Sequence, residues 1–379
     1  MPIKVVTVVG TRPELVKLSC VIPALDVAFA HVLVHTGQNY DYELNQVFFD
    51  GLKLRKPDYF LDAAGKTPAS TIARVLESVD RVLAKEKPDA MLLLGDTNSC
   101  LAAIAAKRRK VVVFHMEAGN RCFDDRVPEE INRRIVDHIS DINLPYSEHA
   151  RGYLIAEGIR AETIIKTGSP MKQVLVAQRG AISRSRMLAK LNLTRRRYFL
   201  ASAHREENVD EPARLKRLLD ALEGIAGRYR VPVIVSTHPR TRMRLEQMGK
   251  GGLDQLSKRL RFIKPVGFAD YVRLQMFAKC VLSDSGTLTE EAAILGFPAV
   301  MLREAHERPE GMEEAAVPMC GIDAERIQEA VDYLVGPGAA GLKRRRIVAD
   351  YNVDDVASKV VNAIRSYTDY VARTVWRRY

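Results

Sequence analysis

The chain has 379 residues, 47% of them hydrophobic and 28% charged, which is ordinary globular usage and enough for two sizeable cores. Its net charge of +11 argues for an anionic partner without naming one. No run approaches the roughly 18 uninterrupted apolar residues of a membrane helix, and the chain starts with one Lys and a short strand-like run, Val5 to Val9, so embedded and secreted classes are set aside.

Short apolar runs rich in Val, Ile and Leu alternate with amphipathic stretches, the pattern of strand and helix units in a parallel sheet covered on both faces. The first strand is expected over Ile3 to Val9, ending at Gly10-Thr11-Arg12-Pro13, where proline suits the first turn of a helix. Strands follow over Ala30 to His35, Ala90 to Leu94, Val111 to Met116 and Ile142 to Pro145, with a short closing strand over Thr163 to Lys166. Helical periodicity fills the intervals near Asp41 to Phe49, Ala69 to Ala84, Asn98 to Ala106 and Pro128 to Ser140. After Thr167-Gly168-Ser169-Pro170, taken as the hinge, the pattern restarts. Strands are expected over Tyr198 to Ala203, Val233 to Ser236, Arg261 to Ile263, Val281 to Ser283 and Ala299 to Leu302, with helices over Pro212 to Ile225, Phe268 to Ala278 and Thr287 to Ile294. The tail from Val353 to Val375 is helical in period. Two Rossmann-like, doubly wound α/β domains are therefore expected, residues 1–168 and 171–366, facing a central cleft. Ligands of open parallel sheets sit beyond the carboxyl ends of the strands, so functional residues should lie just after strands.

Polar residues do gather there: Arg12, Asp96, Glu117, His204, His238 and Ser285 each follow an apolar run within a few positions. Some have plainer readings. Asp96 alone suits a helix cap, His115 a packed core histidine, and Glu129 and Glu130 a helix start whose dipole favours carboxylates. Glu117, just after a buried strand, should be paired or functional. Carboxylates crowded into a dry site raise each other's pKa, a shift that acid–base catalysis uses. Ser283-Asp284-Ser285-Gly286-Thr287 lies between a strand and a helix whose free N–H groups suit a phosphate, although such turns also cap helices widely. Glu290 and Glu291 come one turn later, where a carboxylate can accept hydrogen bonds from two ribose hydroxyls, and Arg12 offers positive charge to a diphosphate.

Other chemistries lose support. The histidines show no metal-site spacing such as HExxH, and there is no GxSxG elbow, GxGxxG or GxxxxGK[ST]. The basic clusters Lys107 to Lys110, Arg195 to Arg197 and Lys343 to Arg346 lack interleaved aromatic platforms and read as solvated faces, not as a nucleic-acid surface. The five cysteines, Cys20, Cys100, Cys122, Cys280 and Cys320, are odd in number and scattered, which fits a reduced cytoplasmic compartment.

Taken in order, Val9-Gly10-Thr11-Arg12-Pro13-Glu14, Gly95-Asp96-Thr97, His115-Met116-Glu117-Ala118-Gly119, Pro128-Glu129-Glu130-Ile131-Asn132-Arg133, Ala203-His204-Arg205-Glu206-Glu207-Asn208, Ser283-Asp284-Ser285-Gly286 and Glu307-Arg308-Pro309-Glu310 resemble the motifs of the non-hydrolysing UDP-N-acetylglucosamine 2-epimerases. The resemblance runs over almost the whole chain. Within that family, His35-Thr36-Gly37-Gln38-Asn39-Tyr40-Asp41-Tyr42 is most similar to members from capsule and O-antigen pathways, some of which epimerise 6-deoxy relatives of the substrate.

The resemblance implies the GT-B-like fold of many nucleotide-sugar glycosyltransferases, with a carboxyl-terminal helix, residues 367–379, crossing back to the first domain. It implies a homodimer, no cofactor and no metal. It also implies inversion at C2 by elimination of UDP to an enzyme-bound 2-acetamidoglucal and re-addition of UDP. Carried over position by position, Asp96, Glu117, Glu130 and His204 would be catalytic; Arg12, His238, Ser285, Gly286, Thr287, Glu291 and Arg308 would bind the UDP-sugar, with Glu310 lining the same cleft. The alternatives are epimerisation of a UDP-6-deoxy-N-acetylhexosamine, giving UDP-N-acetyl-L-fucosamine, a hydrolysing epimerase, a glycosyltransferase on the same scaffold and a basic nucleic-acid-binding protein. Two departures stand out. The family's usual Gly-Gly after the cradle serine is here Gly286-Thr287, which the loop tolerates if Thr287 keeps a negative φ. Gln38-Asn39-Tyr40 and His204-Arg205-Glu206 differ from the stretches with which many bacterial members bind a second substrate molecule as activator, so such activation is not expected.

Overall fold

A computed structural model of the chain describes residues 2–38, 49, 51–237, 239–247, 258–305, 307–314, 317–336 and 347–377. The chain divides into two units, Met1–Gln178 together with Ala349–Tyr379, and Arg179–Val348. Six parallel strands form the first: β1 (Lys4–Val9), β2 (Ala30–His35), β3 (Tyr59–Phe60), β4 (Ala90–Leu94), β5 (Val112–Met116) and β6 (Ile142–Leu144), in the order β3-β2-β1-β4-β5-β6. Five parallel strands form the second: β7 (Phe199–Ser202), β8 (Val233–Ser236), β9 (Leu260–Ile263), β10 (Val281–Ser283) and β11 (Ala299–Met301), in the order β11-β10-β7-β8-β9. Every residue of β4 and β5 is buried, as a parallel sheet with helices on both faces requires. Each order reverses once, between β1 and β4 in the first sheet and between β7 and β10 in the second. Connections leave such a point in opposite directions and open a crevice at the carboxyl ends of the two strands.

The helices follow from capping and spacing. Pro68–Glu86 starts at Thr67, whose side chain accepts the Ser70 N–H, and buries Val75, Val79, Val82 and Leu83 at helical intervals. In the second unit Pro212–Tyr229 lays Leu215, Leu218, Leu219, Leu222 and Ile225 against Phe199, Val233, Leu282 and Val300. The last helix, Val356–Thr374, is capped by Asp355 and buries Val356, Val360, Ile364 and Val371. It packs on helix Val21–Ala28 and on β5, so the tail returns to the first unit.

Some expectations are corrected. Thr163–Lys166 is not a strand: Ala161–Thr163 forms a 3-10 turn and Ile164 makes an isolated bridge to Asn143, after which Ile165 and Thr167 donate their N–H groups to the Asn143 and Pro145 carbonyls. The helix expected over Asn98 to Ala106 begins as a 3-10 turn, Asn98–Leu101, and becomes α-helical over Ala102–Arg108. Tyr59–Phe60, too short to show a period, is an edge strand beside β2. The chain leaves the first unit after Gln178, not at the 167–170 turn, because Ser169 donates its N–H to the Asp350 carbonyl and helix Met171–Ala177 buries Met171, Val174 and Leu175. For the same reason the returning segment starts at Ala349, before residue 367. Most of the helix expected near Asp41 to Phe49, the site residue His238 and most of Gly336–Gly341 lie outside the described residues. Among the described residues no helix is long and apolar enough to cross a membrane.

Ile364 is fully buried in the returning helix. Ile364→Ala should lower stability by about 2–5 kcal/mol, read as a lower urea midpoint for the first unit; an unchanged midpoint would mean that the helix contributes no core.

Candidate active site

The sheet of the first unit brings Arg12 and Asp96 to the reversal between β1 and β4, where each follows its strand by a few residues. Gly10 permits the approach: a Cβ there would sit 1.9 Å from Ser99 Oγ and 2.4 Å from Thr36 Oγ1. Glu14, one turn into helix Arg12–Leu18, joins the two turns. Its carboxylate accepts the N–H groups of Gly10 (2.6 Å) and Thr11 (3.2 Å) and the hydroxyl of Thr97 (2.6 Å). Burial outweighs these donors and pushes Glu14 up to about 7.

Asp96 is not a cap; Thr97 is, through its hydroxyl and the Ser99 N–H. Asp96 instead pairs with Arg133, 2.6 Å from its Oδ2, and its carbonyl accepts from the Asn132 side chain. The other end of the Arg133 fork meets Glu130 Oε2 at 3.1 Å. Glu130 is fully buried and saturated: it also accepts the N–H groups of Cys122 and Phe123, the Cys122 thiol and Arg134. Burial pushes this carboxylate up, but the Cys122 N–H and the two arginines win and hold it below its ordinary value.

Glu117 follows β5 with φ +63°, a left-handed conformation that costs a non-glycine residue roughly 1–2 kcal/mol. Its Oε2 is ion-paired with the buried Lys17, which also lies over the Tyr146 ring. That oxygen is 3.9 Å from where a Cβ on Gly95 would be, so the Glu117 carboxylate lies over the residue next to Asp96. His115 is fully buried and bonded on both sides, to Asp137 and to the Gly95 carbonyl.

In the second unit His204 follows β7 and the 283–287 loop follows β10, again at the reversal of strand order. Asp284, fully buried, is the hub. It accepts the N–H groups of His204 (2.9 Å) and Arg205 (2.9 Å), the Asn208 amide (3.1 Å) and, at Oδ1, His204 Nδ1 (3.1 Å). Burial raises this group, but His204 and the amides bring it down to about 2. With Nδ1 held by Asp284, Nε2 is the His204 nitrogen suited to exchange a proton with a ligand. Thr287 has φ −77°, the negative value its loop needs, and stands at the start of helix Leu288–Leu295. Ser285 Oγ and Thr287 Oγ1 are 3.1 Å apart. Glu291 accepts Gln275 Nε2 at 2.6 Å and the Thr287 hydroxyl at 3.3 Å. Arg308 donates to the Gly286 carbonyl (2.8 Å) and pairs with Glu290 (3.1 Å), so it braces the loop from behind. Glu310 is buried. Among the described residues no cluster of His, Cys, Asp and Glu is arranged to hold a metal ion.

Asp96, Glu117 and Glu130 are thus brought together in the first unit, and His204, Ser285, Gly286, Thr287, Glu291 and Arg308 in the second. Lys17, Arg133, Glu14 and Asp284 went unassigned from sequence. Lys17 carried a signal, a lone cation inside Leu15-Val16-Lys17-Leu18, and Glu14 stands three residues after Thr11, which also describes an ordinary capping box.

Residues 24–365 match the family model of UDP-N-acetylglucosamine 2-epimerase. The chain belongs to this family. It is 53% identical to the UDP-N-acetylglucosamine 2-epimerase of Rickettsia bellii, whose solved structure matches with a TM-score of 0.92 over 100% of both chains. The Methanocaldococcus jannaschii epimerase, solved in complex with UDP-GlcNAc and UDP, is 33% identical and covers 96% of this chain and 100% of its own, with a TM-score of 0.88. A third relative, the UDP-2,3-diacetamido-2,3-dideoxy-D-glucuronate 2-epimerase of Pseudomonas aeruginosa, is 36% identical over 88% of this chain and 92% of its own.

A carboxylate held low in the folded state stabilises above its ordinary pKa and ceases to do so as pH falls through the lowered value. Asp284→Asn should therefore cost about 2 kcal/mol at neutral pH. Urea denaturation across a pH series should show the gap from the unsubstituted protein narrowing as pH falls from about 4 towards about 2; a gap independent of pH would refute the hub role.

Proposed function

We propose that this protein is the non-hydrolysing epimerase that interconverts UDP-N-acetylglucosamine and UDP-N-acetylmannosamine, by eliminating UDP to 2-acetamidoglucal and adding it back. The observation that carries the reading is the pairing of Asp96 with Arg133 and of Glu117 with Lys17 at the first sheet's strand ends, in a chain of this family. Both carboxylates are thereby ready to meet positive charge. The C2 proton of an N-acetyl sugar is not acidic, so the anomeric C–O bond must break first and leave positive charge at C1. Adjacent carboxylates stabilise that charge, and one of the pair then takes the C2 proton as the C1–C2 double bond forms. The C–O electrons leave with UDP. The other member of the pair, protonated from solvent, delivers a proton to the opposite face of C2, the abstracted proton passes to solvent, and re-addition of UDP completes the inversion.

In this reading the 285–287 loop and the start of helix Leu288–Leu295 receive the diphosphate, Arg12 adds charge, and Glu291 takes the ribose hydroxyls. His204 Nε2 protonates the departing phosphate oxygen. Glu130, saturated by its own donors, fixes Arg133 and does not itself transfer the proton. The substrate reading extends to a cytoplasmic enzyme working as a homodimer, for which the exposed Phe123, Ile131 and Ile135 offer an apolar face. A second reading, epimerisation of a more heavily modified UDP-hexosamine, is favoured by the 36% identity to the diacetamido-glucuronate epimerase; side-by-side rates on a panel of UDP-sugars decide between the two.

Incubation with UDP-N-acetylglucosamine in deuterated water should place deuterium at C2 as the manno epimer accumulates, with the nucleotide sugar conserved. Turnover with C2 hydrogen retained, or UDP release that depends on an acceptor, would instead mark a glycosyltransferase. Asp96→Asn and Glu117→Gln should each lower kcat by about 100- to 10,000-fold with UDP affinity intact, whereas Glu291→Ala should chiefly weaken UDP binding; the opposite split, seen by calorimetry and steady-state rates, would reverse these roles.

A further inference from the structure

Behind the two catalytic turns of the first unit lies a group of four charged side chains that the proposed chemistry does not use. Asp137, from helix Pro128–Ile139, is fully buried with His115 and Arg121. Its Oδ1 meets His115 Nδ1 at 2.8 Å, and its Oδ2 accepts the Gly119 N–H (3.1 Å) and Arg121 (2.7 Å). Arg121 in turn donates to the Asn120 carbonyl (2.7 Å) and grips Glu157 with both arms, at 2.7 and 2.6 Å. The opposite ring nitrogen of His115, Nε2, meets the Gly95 carbonyl at 2.7 Å.

Hydrogen-bond accounting fixes the ring's state. A carbonyl oxygen only accepts, and a carboxylate that already receives an arginine and a backbone N–H accepts as well. Both nitrogens of His115 therefore have to donate, which a neutral imidazole with its single N–H cannot do. Arg121 pairs with Asp137 in the interior and with the exposed Glu157 on its outer side. Burial works against the Asp137 carboxylate, but the bonds from His115 and Arg121 keep it below its ordinary value.

Three of these bonds reach the backbone on both sides of the site. His115 holds Gly95, the residue before Asp96; Asp137 holds Gly119 and Arg121 holds Asn120, two and three residues after Glu117. The two turns contain three left-handed residues, Gly95 (φ +75°), Glu117 (φ +63°) and Gly119 (φ +81°). Such a sequence keeps its shape only where its surroundings over-determine it. Gly119 leaves no slack, since a Cβ there would lie 2.4 Å from the Ala150 carbonyl oxygen.

We propose that His115 is a buried imidazolium and, with Asp137 and Arg121, a positioning group that fixes the spacing of the Asp96 and Glu117 turns. The positioning role rests on the proposed epimerase reading; the charge state of the ring does not. Nitrogen-15 NMR of histidine-labelled protein at about pH 8, where an ordinary imidazole is neutral, should show two protonated ring nitrogens for His115, assigned by loss of the signal in His115→Gln. A bare nitrogen in that ring would overturn the charge assignment whether or not the protein is active.

The positioning role is read by a double-mutant cycle. His115→Gln should lower kcat by about 10- to 100-fold with KM for the UDP-sugar within about twofold. In a Glu117→Gln background the same change should alter the residual C2 exchange by less than about threefold, because there is no longer a placed carboxylate to lose. Equal factors in both backgrounds would overturn positioning in favour of a general structural role. If His115→Gln does not fold, the ring-proton count is made on the unsubstituted protein with Asp137→Asn for assignment. An unsubstituted protein without C2 exchange would sink the epimerase reading and leave the proton count standing.

Discussion

A carboxylate at the end of a buried strand is of use only if it is ionised and immobile, and water supplies neither condition there. The first unit meets both with cations from its own helices. Lys17 reaches Glu117 from helix Arg12–Leu18, and Arg133 reaches Asp96 and Glu130 from helix Pro128–Ile139. Losing one partner of a buried pair typically costs about 3–5 kcal/mol, so these side chains are set by folding before any ligand arrives. Glu14 is the exception: burial outweighs its hydrogen-bond donors and raises it to about 7.

The second unit solves the same problem with dipoles. Asp284 is matched by two main-chain N–H groups and an amide, and the charge it keeps fixes one nitrogen of His204. A histidine about 38% exposed is thus tethered from beneath without being buried. The loop that follows is shaped by Ser283, Ser285 and Thr287 bonding one another and by Arg308 on the Gly286 carbonyl. Its donors are consequently arranged by neighbours that a phosphate would not need to displace.

How much of this was legible in the sequence depended on period and length. β2, β4, β8 and β10 have the bounds that their apolar runs suggested, because strands covered on both faces of a parallel sheet are predominantly apolar. Tyr59–Phe60 escaped that logic, since two-residue pairing leaves no period to detect, whereas the Thr163–Lys166 run reads as a strand but makes only an isolated bridge. The carboxylates after the strands could be picked out because strand ends are where open sheets bind. Their cations could not. Arg133 and Lys17 sit at helical positions where a charged residue is ordinary, and only the fold brings them to strands about 37 and 100 residues away in the chain. Asp137 and Arg121 were hidden likewise, and His115 was legible as a core residue but not as one bonded on both sides.

The route of the chain between its units has a separate consequence. Residues 179–348 form the second unit as an insertion, and the first is completed only by Ala349–Tyr379. During synthesis the whole of the inserted unit is made before the helix that covers β5 and helix Val21–Ala28. Domains fold largely as they emerge, so nascent chains should complete the inserted unit before the first unit, which still lacks its closing segment.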